Sequence, residues 1–84
     1  MSLPIVKLML MTKTRDPTLV AIGKNLQRIR KASGKSQEGL ALEAEIDRTY
    51  VSQIERGIAN PSILVLKKVA CCLEATLSEL VIGA

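Results

Sequence analysis

Eighty-four residues and 9.1 kDa provide for one small domain. A chain of this length buries only ~60–65% of its unfolded surface and gains from a partner subunit. At 48% hydrophobic and 24% charged it reads as globular rather than disordered. Tyr50 is the sole aromatic residue, His is absent and the two cysteines are adjacent. That composition excludes multi-ring base-stacking platforms, a structural zinc site and the usual nucleophile–base dyads. Neither an enzyme nor a cofactor or metal protein is the expectation.

The net charge of +4 is unevenly spread. Residues 1–35 hold eight basic side chains against Asp16 alone, a local balance of +7, whereas residues 36–84 hold four against seven acids, or −3. A basic half favours an anionic partner, nucleic acid first and anionic lipid second; the plain alternative is a solvated basic surface. Cys71 and Cys72 are neighbours and cannot close a useful loop, so a disulfide framework is not expected. They read as small hydrophobes of a reducing, cytoplasmic protein. A redox switch would want a flanking His or cation to lower a thiol pKa, and neither marks the pair.

No stretch approaches the ~20 apolar residues of a membrane span. The N-terminal run Leu3 to Met11 is apolar but lacks a charged flank and a cleavage signal, so a signal peptide is not expected. Residues 1–15 read as an arm outside the folded unit: unstructured, a relic of an upstream start, or packed on a second subunit. The domain then spans 16–84.

Asp16-Pro17 opens the first helix, with Asp as N-cap and Pro at the first position. Leu19, Ile22, Leu26 and Ile29 form its apolar stripe, and Ser33-Gly34 ends it. Ser36 caps a short second helix lined by Leu40, Ala41 and Ala44. After Glu45-Ile46-Asp47, Asp47 caps a third helix with Val51 and Ile54 facing inward, closed by Gly57. Asn60-Pro61-Ser62 leads into a fourth with Ile63, Leu66, Val69, Ala70 and Leu73. Thr76-Leu77-Ser78-Glu79 is a capping-box pattern starting a fifth, with Leu77, Leu80 and Val81. The fold class expected is all-α, a compact bundle of about five short helices.

Two helices separated by three residues, with small Ala41 at the crossing, have the pattern of a helix-turn-helix. The second of them leaves Arg48, Thr49, Ser52, Gln53 and Arg56 on one face, all polar and none acidic. A bundle helix would usually mix charges outward, pairing Glu with Lys at i, i+4.

The residues Ile29-Arg30, Lys35-Ser36-Gln37-Glu38, Leu40-Ala41, Ile46 through Gly57 and Asn60-Pro61-Ser62 resemble the lambda-repressor/Cro-like helix-turn-helix family. Within it they are closest to controller proteins of restriction–modification systems. The resemblance covers about residues 18–82. It implies a DNA-binding transcriptional regulator whose recognition helix, 48–55, enters a major groove. Arg48 and Gln53 suit bidentate contacts to guanine and adenine, and Thr49 and Ser52 suit other base edges. Lys35, Ser36, Gln37 and Arg56 would hold phosphates. Arg30 and Glu55 would form a partly buried salt bridge joining the first and third helices. Three positions depart from the family pattern. Glu45 and Glu74 stand where glycine is usual, and Gly39 stands where Glu would complete the Ser36 capping box. The Glu38, Glu43, Glu45 cluster should face away from phosphates.

One helix reads few base pairs, so a homodimer on two half-sites of an operator is expected. Leu64, Val65, Cys72, Leu77, Val81 and Ile82 are the candidate interface, an apolar patch on the fourth and fifth helices. The chain is too short for a small-molecule effector domain. A protein-interaction module, such as an antitoxin or coactivator on the same scaffold, is the alternative. The operator, the regulated genes and the sign of regulation are not legible.

Overall fold

The computed structural model describes residues 15–84, and every regular element among them is a helix. Most of the arm therefore lies outside the described residues. The elements are α1 (Pro17–Ala32), α2 (Gln37–Ala44), α3 (Arg48–Glu55), α4 (Ile63–Cys72) and α5 (Leu77–Val81).

The helix starts follow from local side-chain chemistry. Asp16 accepts from the Thr18 amide at 2.8 Å, Ser36 from the Gly39 amide at 2.9 Å and Ser62 from the Val65 amide at 3.2 Å. Each satisfies an amide that has no partner within its own helix. With Gly39 in place of an acid, the α2 cap lacks its reciprocal half. The full capping box appears at α5: the Thr76 amide donates to Glu79 Oε1 at 2.9 Å and the Glu79 amide to Thr76 Oγ1 at 3.1 Å. Asp47 differs from expectation. It holds the N-cap position of α3 in extended geometry, but its carboxylate makes no capping bond. The Asp47 carbonyl takes the Tyr50 and Val51 amides, at 3.0 and 3.1 Å, and the Asp47 side chain is exposed.

The core is assembled from all five helices: Ile22 and Leu26, Leu40, Ala41 and Ala44, Val51 and Ile54, Leu66, Val69 and Ala70, and Leu80, with Leu73 just beyond α4. Helix α1 packs on α3 and α5, α2 on α3 and α4, and α4 on α5. Leu19 and Ile29, placed in the α1 stripe, are half-buried. Ile63 remains 60% exposed because it lies a turn ahead of Leu66, the first α4 residue to reach the core.

Two helix ends are left-handed without glycine. Glu45 has φ 56° and Glu74 φ 53°, a geometry that costs roughly 1–2 kcal/mol for an L-residue. Both tolerate it on the surface, where side chains stay hydrated.

Two contacts give no sequence signal. Asn25 Nδ2 donates to the Leu80 and Ile82 carbonyls at 2.9 and 2.8 Å, tying the end of the chain to α1. Gly23 lies directly on the α3 backbone. A Cβ there would meet the Ile54 carbonyl oxygen and sit 2.6 Å from that of Glu55, neither of which can yield without moving α3. Gly23→Ala should therefore destabilise by at least ~1–3 kcal/mol. At roughly 4–8 °C per kcal/mol for a domain of this size, thermal unfolding by circular dichroism will read the loss.

Candidate nucleic-acid interface

Helix α3 is built from two faces of opposite character. Val51, Ile54 and Glu55 point inward. Arg48, Thr49 and Arg56 are exposed on the other side, with Ser52 and Gln53 half-buried between them. No side-chain hydrogen bond to another described residue engages any of these five. The sequence-predicted base contacts thus share one surface with Arg56 at its end.

What holds that surface outward is a buried ion pair. Arg30 Nε donates to Glu55 Oε2 at 2.6 Å and Arg30 Nη2 to Glu55 Oε1 at 3.1 Å. The Glu55 side chain is only 1% exposed. Arg30 Nη1 also donates to the Lys35 carbonyl at 2.8 Å, and Gln37 Nε2 donates to Glu55 Oε1 at 3.0 Å. One carboxylate therefore fastens α1 and the start of α2 to α3. An ionised carboxylate only accepts, so Gln37 must turn its NH₂ inward. Its carbonyl and second N–H are left for the outside. Arg30, Ser36, Gln37, Glu38 and Arg48 line an open cleft of about 420 Å³ between the starts of α2 and α3.

Several expected roles are redistributed. Lys35, expected on a phosphate, is committed within the protein. Its Nζ donates to the Cys72 carbonyl at 2.7 Å and pairs with Glu43 Oε1 at 2.9 Å. The cause is the free carbonyl and negative dipole at the end of α4, reinforced by a full charge on Glu43. Gln37 spends one N–H on Glu55. Ser36 Oγ accepts within its own cap yet retains its hydroxyl proton for a ligand. Glu38 lines the cleft beside Arg48, and Glu43 is the one member of the acidic cluster with an ion pair among the described residues.

The expected subunit interface also divides. Leu64 and Ile82 are 77% and 65% exposed, whereas Val65, Cys72, Leu77 and Val81 are half-buried against this chain's own core. Leu42 (75% exposed), Ile58 and Ile63 are further exposed aliphatics outside the expected set. Both cysteines are free thiols. Burial pushes the Cys72 thiol above its ordinary pKa, Glu43 and Cys71 add to the shift, and Lys35 and Lys68 oppose it. No helix among the described residues is long and apolar enough to cross a membrane.

The helix-turn-helix family HTH_3 matches residues 26–80, a stretch from the middle of α1 through the start of Arg30's network to Leu80 of α5. The chain belongs to that family. It is 45% identical over 60 residues to the HTH-type transcriptional regulator SlrR of Bacillus subtilis, covering 70% of this chain but 40% of SlrR. The chain thus spans less than half of that relative's length. The crystal structure of the restriction–modification controller protein C.AhdI from Aeromonas hydrophila superposes with a TM-score of 0.72 at 42% identity, covering 74% of this chain and 94% of that one. SinR, a master regulator of biofilm formation crystallised in complex with DNA, gives a TM-score of 0.68 at 38% identity over 70% of this chain and 95% of that one. The lambda-repressor-like architecture and the likeness to controller proteins, both anticipated from residues 29–62, hold.

Family membership makes the ion pair the element to test. Arg30→Met strands the Glu55 charge inside the protein and should cost ~3–5 kcal/mol. The double variant R30M/E55L removes both charges and should recover most of it. Urea denaturation of the two variants beside the parent checks this.

Proposed function

We propose that the protein is a sequence-specific double-stranded DNA-binding transcriptional regulator that binds an operator as a homodimer. The observation carrying this reading is the non-acidic polar face of α3, without side-chain hydrogen bonds among the described residues and backed by the Arg30–Glu55 pair. Rigid presentation matters because base readout depends on fixed donors and acceptors. Arg48 reads guanine O6/N7, Gln53 reads adenine N6/N7, and Thr49 and Ser52 meet neighbouring base edges. Arg56, the Ser36 hydroxyl, the outward N–H of Gln37 and the amides opening α2 hold phosphates. Lys35 braces α4 instead. Likeness to C.AhdI supports regulation of a restriction–modification system.

The exposed pair Leu64 and Ile82, with the half-buried Val65, Cys72, Leu77 and Val81 beside them, is the subunit contact in this reading. Two-fold pairing would set recognition helices about one DNA turn, ~34 Å, apart. Sedimentation at tens of micromolar should give a dimer, and Leu64→Glu should give a monomer. A parent protein that sediments as a monomer contradicts this part.

Selection from a random duplex pool should enrich a two-fold symmetric motif; a protein-interaction module would enrich none. On the selected duplex, Arg48→Ala should relax preference at one base position by ~1–3 kcal/mol. Arg56→Ala should weaken all duplexes alike and reduce the salt slope by ~0.9. Equal losses on every duplex for both variants would contradict the assignment of roles.

A further inference from the structure

Helix α1 packs on α3 along one side and on α5 along another. Its hold on α3 is close: Gly23 lies against the Ile54 and Glu55 carbonyls, and Arg30 grips the Glu55 carboxylate. Its polar hold on the end of α5 comes, among the described residues, from one side chain. Asn25 Nδ2 donates to the Leu80 carbonyl at 2.9 Å and to the Ile82 carbonyl at 2.8 Å.

The shortness of α5 creates the need for this bond pair. The helix runs only from Leu77 to Val81 and ends at Ile82, so its last carbonyls have no intrahelical amide. The Ala84 amide takes the Val81 carbonyl at 3.0 Å, and Asn25 takes the carbonyls on either side of it. Both N–H bonds of the Asn25 amide are thereby spent, one on each carbonyl. Turned over, the amide would set its oxygen against two carbonyl oxygens, so only one orientation works. Ile82 itself leaves the helix in extended geometry, φ −59° and ψ 130°, with its side chain 65% exposed. Burial does not hold so exposed a residue; the hydrogen bond to its own carbonyl fixes the main chain there.

We infer that Asn25 is a positioning residue that selects the spacing between the two half-sites of the operator. This rests on the homodimeric DNA-binding reading above, in which Ile82 meets the partner subunit. In a two-fold dimer the separation of the recognition helices is set, in each subunit, by the path from the subunit contact to α3. That path runs from Ile82 through Asn25 to α1, and from α1 through Gly23 and Arg30 to α3. Any tilt of the α5 end against α1 is repeated in the second subunit, so it acts twice on the distance between reading heads. Apolar packing alone resists such a tilt poorly because it has no direction. A pair of short hydrogen bonds resists it well, because their geometry tolerates little misalignment. Asn25 meets neither base nor phosphate in this reading; it acts through Ile82 and α1.

The test uses the full chain and duplexes carrying the selected half-site, once or twice, with the separation stepped by single base pairs. The parent protein should favour one separation. Asn25→Ala removes both donors and introduces the strongest helix former, so α1 is retained. Asn25→Asp keeps the shape but places an acceptor against both carbonyls. In both variants the affinity penalty for adding or removing one base pair should shrink by about threefold or more, the scale of coupling between contacting residues. The effect should be larger for Asp than for Ala. Affinity for a single half-site should stay at the parental value, because α3 and its supports are untouched. A merely structural role would instead lower the melting temperature and weaken single and paired half-sites alike with the spacing profile intact, and that result overturns the inference. A parental profile in Asn25→Ala also overturns it, while the parent's own preference for one separation still upholds the homodimeric reading. A parent protein indifferent to separation overturns both.

Discussion

A single carboxylate, that of Glu55, organises the surface that matters. It is buried, it accepts from Arg30 twice and from Gln37 once, and those donors belong to α1 and to the start of α2. Three elements are thereby locked at fixed angles around one charge that cannot be left unpaired. Hydrophobic burial of Val51 and Ile54 draws α3 onto the body of the protein, but burial is non-directional. Hydrogen bonds to a charged group impose direction. The ion pair is better understood as a register device than as a source of stability, since a buried pair typically gains little over an apolar replacement.

Close approach does the complementary work. Gly23 brings α1 onto the carbonyls of Ile54 and Glu55, and Gly57, at φ 74°, turns the chain beneath Val20. The C-terminal half of α3 is thus met by main chain at Gly23 as well as by the side chains of Arg30 and Gln37. A small protein with few core residues gains precision this way, because backbone contacts cannot change rotamer. The left-handed Glu45 and Glu74 run against this economy. Each holds a turn that glycine would hold with less strain, and each lies on the surface, where nothing else is disturbed.

Competition for donors explains why the expected contact set is rearranged. Lys35 has the charge and position for a phosphate, yet the α4 terminus and Glu43 claim it first. Gln37 gives its NH₂ to Glu55 and turns its carbonyl outward. Basic residues close in sequence therefore separate into two kinds. Arg30 and Lys35 hold the protein together, while Arg15, Arg48 and Arg56 keep guanidinium donors directed to solvent. The distinction also bears on assembly. Most of the aliphatic side chains on α4 and α5 are partly used by the core, so in the proposed homodimer the contact would centre on the exposed Leu64 and Ile82.

The sequence alone determined the five helices of the described residues, four of their five side-chain caps, nearly all of the core and the polar face of α3. Those features depend on spacing along the chain: an apolar period of three to four, a Ser, Thr or Asp before it, a Gly after it. The tertiary structure alone decided what lies between elements. It placed Gly23 against α3, tied Asn25 to the end of the chain, turned Lys35 inward and brought Arg15 to Arg56. Asp47 holds the N-cap position of α3, yet its side chain makes no capping bond. A periodic pattern records which side of a helix is dry. It does not record which of several nearby acceptors a flexible cation will reach, because that depends on distances set only when the helices have packed.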